Sequence, residues 1–136
     1  MDASIAFQHI HWLAVLVAAA APFVIGSLWY GPVFGKLWMR LTGISKGMPG
    51  QNSMGLTMGL TAVLNLIIAT SLALFIGGGN AQFGFFAGFA AGLTFVAMAL
   101  GVIYLFESRP FKLWLVNAGY QVVVFTLMGT ILGAWH

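Results

Sequence analysis

The chain predicts an all-α, polytopic membrane protein: four transmembrane helices in an up-down bundle, with a short interfacial helix on one side. Four apolar runs divide its 136 residues, and each approaches the about 20 residues that a helix needs to cross hydrocarbon. Only 5% of the residues are charged, against about a quarter in a soluble domain. All five cations, Lys36, Arg40, Lys46, Arg109 and Lys112, fall in two of the gaps between the runs.

The first span is expected at residues 11–30. Its leading residues carry Asp2 and no cation, and the small run Ala18 to Ala21 leads straight into Pro22, so it reads as a retained helix and not as a cleaved signal. Pro22 removes one backbone hydrogen bond and predicts a kink. In the following gap, Phe34, Leu37, Trp38 and Leu41 recur at three- and four-residue spacing with Lys36 and Arg40 between them, as suits a short helix lying in the membrane interface. A structured loop anchored by its aromatics is the alternative. Met48 to Asn52 reads as a turn before a second span at 54–76. Gly77-Gly78-Gly79-Asn80-Ala81-Gln82 can end one helix and begin the next, giving a tight hairpin into a third span at 83–106. After a short connection at 107–112, the fourth span occupies 113–135. No two-residue alternation of a membrane barrel is present, and helices satisfy their own backbone in lipid.

Basic residues near span ends are retained on the cytoplasmic side, so both basic gaps should face the cytoplasm and both termini should lie outside. A bias of five to none also argues against dual topology. The pI near 9.7 follows from the same few cations and does not point to nucleic acid. Without cysteine there is neither a disulfide frame nor a thiolate metal site.

Close helix approach in lipid depends on small residues. The third span offers Gly84, Gly88, Gly92, Ala97 and Gly101; the first has Ala14, Ala18, Pro22 and Gly26; the second has Gly55 and Gly59; the fourth has Gly129 and Gly133. Each helix is thus expected to present a contact face. A bundle this small leaves little room for a wide cavity, so any pathway is expected to need a homo-oligomer.

No charged residue lies near the middle of any span, which disfavours a proton-driven pump. The polar candidates for a pathway or ligand site are Thr61 and Asn65, which continue a stripe from Thr57 on the second helix, and Asn117 and Gln121 on the fourth. At about 1.5 Å per residue, Asn65 lies roughly 16 Å from the cytoplasmic end and Gln121 roughly 12 Å. The bland reading of these amides is interhelical hydrogen bonding worth about 0.6 kcal/mol per contact. Tyr30, Trp38, Glu107, Arg109 and Lys112 are the candidates on the cytoplasmic face; Glu107 and Arg109 are placed to pair or to fix the loop. His9, His11 and His136 map to the outer side and are weak metal candidates, since an i, i+2 pair diverges on a helix. No paired carboxylates, nucleophile elbow or HExxH helix occurs, so neither an enzyme nor a cofactor is implied. For a lipid-acting enzyme, Glu107 and Tyr120 would be the nearest catalytic candidates.

Gly26-Ser27-Leu28-Trp29-Tyr30-Gly31-Pro32-Val33-Phe34-Gly35-Lys36-Leu37-Trp38 and Phe106-Glu107-Ser108-Arg109-Pro110-Phe111-Lys112-Leu113-Trp114-Leu115-Val116-Asn117-Ala118-Gly119-Tyr120 resemble a small membrane family known as domain of unknown function 1761. The resemblance extends to the terminal Gly129 to Trp135. It implies a four-span bacterial protein, and so an inner-membrane location, and it brings no established activity. The two segments also resemble each other, Pro32 leading to Lys36-Leu37-Trp38 and Pro110 to Lys112-Leu113-Trp114, a hint of a duplicated hairpin. The functional expectation is a homo-oligomeric channel or transporter-like bundle that passes or binds a small solute or ion in the membrane lipid. Its rival is a non-transporting scaffold whose basic loops hold anionic lipid or a partner.

Overall fold

Polar side chains set where the helices of this chain begin. In the computed structural model, which describes residues 10–44 and 52–135, His11 Nδ1 accepts the Ala14 N–H at 3.2 Å and opens α1, Trp12–Leu28. Ser53 Oγ accepts from Leu56 N and opens α3, Met54–Ile76; Asn80 Oδ1 accepts from Phe83 N and opens α4, Ala81–Ala90. Each cap satisfies an N–H that would otherwise have no intrahelical partner. Between α1 and α3 lies α2, Gly35–Thr42, ended by Gly43 at φ 73°. Its Lys36, Met39 and Arg40 are exposed while Leu37, Trp38 and Leu41 are half-buried, the two-faced pattern of an interfacial helix.

Two spans are not uniformly α-helical. α1 stays helical through Pro22 and widens to π-helix over Trp29–Val33, around Pro32, where Phe34 N donates back five residues to Trp29 O at 2.8 Å. Pro22, where the sequence predicts a kink, lies within the α-helical stretch, and the π segment lies around the next proline. The third span is α4, a second π segment at Ala91–Ala97, and α5, Met98–Phe106. No proline accounts for this second widening, and the sequence reading did not anticipate it.

α5 ends in a Schellman turn. Arg109 N donates to Tyr104 O at 2.9 Å and Ser108 N to Leu105 O at 3.2 Å, with Ser108 itself at φ 55°. Pro110 then starts α6, Phe111–Ala134. Four segments, Trp12–Val33, Met54–Ile76, Ala81–Phe106 and Phe111–Ala134, are long and apolar enough to cross a membrane, and no strand occurs among the described residues.

The fourth span is the centre of the bundle. It is the most enclosed of the four, and the first, second and third all pack on it. Against the third span, contact is backbone to backbone: a Cβ on Gly84 would meet the Gly129 backbone, one on Gly88 the Phe125 backbone, and one on Gly92 would lie 3.0 Å from Val122 Cα. Ala14, Val15, Ala18 and Ala19 of α1, Ala69, Leu72 and Ile76 of α3 and Val124, Met128 and Leu132 of α6 form the main core. The contact face expected at Gly55 and Gly59 is corrected here, for both are exposed and nothing lies within 4 Å of where their side chains would start. α3 turns Asn65, Ala69, Leu72 and Ile76 inward instead, which leaves the glycines on its outer side.

Candidate functional site

Arg40, Lys36, Arg109 and Lys112 gather at one end of the bundle, where α2 and the turn between the third and fourth spans lie. Just inside this basic end, aromatic and amide side chains from three spans converge. Tyr30 Oη donates to Asn117 Oδ1 at 2.7 Å, and Asn117 Nδ2 donates to Tyr104 Oη at 2.7 Å, so one amide on α6 bridges the first and third spans. Trp29 Nε1 donates to Val116 O and Trp114 Nε1 to Ala97 O. Tyr120 Oη donates to Pro22 O at 2.9 Å. Rings close the remaining space, with Tyr30 edge-on to both Trp38 and Tyr120.

Glycine makes these ring positions available. Side chains starting at Gly26 and Gly119 would come within 3.1 Å of Tyr120 Oη and 3.2 Å of Trp29 Cζ2, and one at Gly101 within 3.2 Å of Trp114 Nε1. Both π segments feed the same cluster, the first carrying Trp29 and Tyr30, the second offering the Ala97 carbonyl. Wide turns of this type recur at functional sites. A cleft of about 250 Å³ opens beside the cluster, lined by Gly101, Tyr104, Leu105, Arg109, Phe111 and Trp114.

The polar residues singled out from the sequence take different places. Asn117 is engaged through both its oxygen and its nitrogen in the tyrosine bridge. Thr61 Oγ1 donates to Thr57 O on its own helix, which leaves that stripe tied to backbone. Asn65 is buried at 9% exposure, and its Nδ2 is enclosed without a hydrogen-bond partner. Gln121 is half-buried, and its side chain makes no hydrogen bond among the described residues. The second and fourth spans run in the same direction, so counting from Met54 and Phe111 puts Asn65 and Gln121 at matching depths of about 16 Å and about 15 Å. No hydrogen bond joins them.

At the basic end, Trp38 packs on Tyr30, and Arg109 Nε lies 3.2 Å from Glu107 Oε1 in an exposed pair. Arg109 also sits over the Tyr104 ring at 5.3 Å, while Lys112 is exposed. His11 serves as the cap of α1, its ring tilted against Trp135 at the opposite end of the bundle. His9, His136 and Lys46 lie outside the described residues. The likeness between the two proline-to-tryptophan segments does not extend to local structure: Pro32 sits within a π segment ahead of a separate short helix, whereas Pro110 caps a span directly.

Tyr104 and Trp114 were missed as site residues. The signal for Trp114 was available in its likeness to Trp38. Tyr104 became visible only through the hairpin register, which sets it against Asn117.

No curated protein and no solved structure matches this chain. A family model described as protein of unknown function (DUF1761) matches residues 13–133 and includes both quoted segments. On that match the chain belongs to the family of proteins of unknown function DUF1761.

Proposed function

We propose that the protein binds, and as an oligomer passes, a small polar solute or ion at the middle level of its four spans, with its basic end toward the cytoplasm. The Asn65 amide carries this reading. An enclosed donor without a partner costs about 1–3 kcal/mol, a penalty that leucine at the same position would not incur. A bound solute presenting a hydrogen-bond acceptor would remove that penalty.

The other spans carry related features at the same level. Pro22 has no N–H to give the Ala18 carbonyl, the third span is widened at Ala91–Ala97, and the fourth carries Tyr120 and Gln121. Gly92 of the π segment approaches the Gln121 carbonyl, and Tyr120 reaches Pro22 O. Interrupted helices around a mid-level site are a common plan in transporters. A protomer of this size has little room for a continuous path, which favours assembly of several copies.

Purified protein in liposomes should give flux for at least one member of a panel of anions, cations and neutral polar solutes. Asn65→Leu should lower that flux at least tenfold while the protein stays folded. Absence of flux across the panel, or flux unchanged by Asn65→Leu, defeats the proposal.

The exposed Lys36, Met39 and Arg40 of α2 favour a second reading, a scaffold that holds a partner. Neutralising Lys36, Arg40 and Lys46 should then release a stoichiometric partner from the purified protein.

A further inference from the structure

The cleft between the third and fourth spans combines an apolar body with a cationic mouth. Its body is Gly101, Leu105, Phe111 and Trp114, with Phe111 and Trp114 stacked at 5.5 Å between centroids. The polar groups along the wall are engaged, since Trp114 Nε1 donates to Ala97 O and the Tyr104 hydroxyl accepts from Asn117. They leave recognition within the body to shape.

The mouth has a different chemistry. The Schellman turn brings Arg109 back over Tyr104, against which it is held by the ring face and by Glu107. Three residues on, Lys112 stands exposed in the first turn of α6. Pro110 caps that helix without a side-chain hydrogen bond, so its N-terminal dipole remains available to an anion. Arg109 lines the cleft, and Lys112 and a helix N-terminus lie on the same turn, with Glu107 as its one carboxylate. An occupant must bring negative charge to the mouth and hydrocarbon to the body. At about 250 Å³ the cleft is smaller than the about 300–1,000 Å³ of ordinary ligand pockets, which suits one chain and not a whole amphiphile.

We propose that this cleft is a binding site for one acidic phospholipid, with the headgroup phosphate at Arg109 and Lys112 and one acyl chain lying along Gly101, Leu105, Phe111 and Trp114. The site is separate from the Asn65 level and stands whether or not a solute is passed there. Acidic lipid held at this turn would fix the third and fourth spans at the membrane surface.

The test is native mass spectrometry of the full chain from vesicles of phosphatidylglycerol and phosphatidylcholine with matched acyl chains. One phosphatidylglycerol should be retained per protomer with about tenfold preference. Arg109→Gln with Lys112→Gln should abolish the preference, and Gly101→Leu, which fills the body, should lower total lipid retention. Lys36→Gln with Arg40→Gln, equally cationic but away from the cleft, should leave the preference intact. Thermal melts of each variant establish that it is folded; should Gly101→Leu fail to fold, the exposed-cation variants decide alone. Equal loss of preference in both cation pairs means diffuse surface attraction and overturns the site. So does displacement of the lipid by inorganic phosphate, which would assign the mouth to a free anion, or retention unchanged in Arg109→Gln/Lys112→Gln.

Discussion

The fourth span is held by two interfaces of opposite construction. Toward its far end it meets the third span through Gly84, Gly88, Gly129 and Gly133, where the backbones touch and there is no space for a Cβ. Toward its basic end it meets the first span through Trp29, Tyr30, Asn117 and Tyr120, where large side chains fill the gap and hydrogen-bond across it. Lipid provides no hydrophobic drive between helices, so attraction has to come from close packing or from polar contacts. The glycine interface therefore fails when atoms are added and the aromatic interface when they are removed.

The largest effect is expected at Gly88. Valine there drives its side chain into the Phe125 backbone, which cannot move without separating the helices, and should cost about 3 kcal/mol or prevent folding. Gly59→Val is the control, because open space surrounds that position and stability should stay within about 0.5 kcal/mol. Reversible unfolding in mixed micelles measures both. Equal costs at the two sites would mean that helix propensity and not contact governs these glycines.

Asn65 belongs to neither interface type, being buried without a partner. Asn65→Leu should raise unfolding free energy by about 1 kcal/mol, while the flux described above falls. Stability and activity would then move in opposite directions, as they do where a protein keeps a costly group for function. A fall in stability would show that the amide is structural.

These contrasts were legible in the sequence to different degrees. The four spans, the glycine hairpin and the interfacial helix followed from run length and periodicity, because lipid punishes any backbone not bonded to itself. Gly84, Gly88, Gly129 and Gly133 were readable as contacts, yet Gly55 and Gly59 looked the same and touch nothing within the protomer. Spacing identifies a small face but not whether a partner faces it. Asn65 and Asn117 were equally polar on paper; only the arrangement of helices supplies Tyr30 and Tyr104 to one and no partner to the other. The π segment at Ala91–Ala97 carries no local signature, for no proline lies within it.

Removal is the test of the aromatic interface. Asn117→Leu breaks both hydrogen bonds of the bridge and should cost about 1 kcal/mol, against about 0.6 kcal/mol for Tyr30→Phe, which breaks one. In the double variant the second loss should be smaller than when made alone, because the bond is already gone. Strict additivity would place the two residues in separate networks.

The smallest effect is expected where the third and fourth spans are joined by chain rather than by contact. Ser108 occupies the left-handed position of the Schellman turn at φ 55°, a conformation that costs a residue with a Cβ about 1–2 kcal/mol and glycine little. Ser108→Gly relieves that cost but gives the unfolded chain more freedom, so the net gain in unfolding free energy should be about 0.5 kcal/mol. The turn's Arg109 N to Tyr104 O bond should persist, keeping the guanidinium over the tyrosine ring and leaving the preference for acidic lipid unchanged. A gain in stability together with a loss of lipid preference would show that the strained turn aims Arg109. A change in neither would mean that the glycine interface alone sets the register of the two spans.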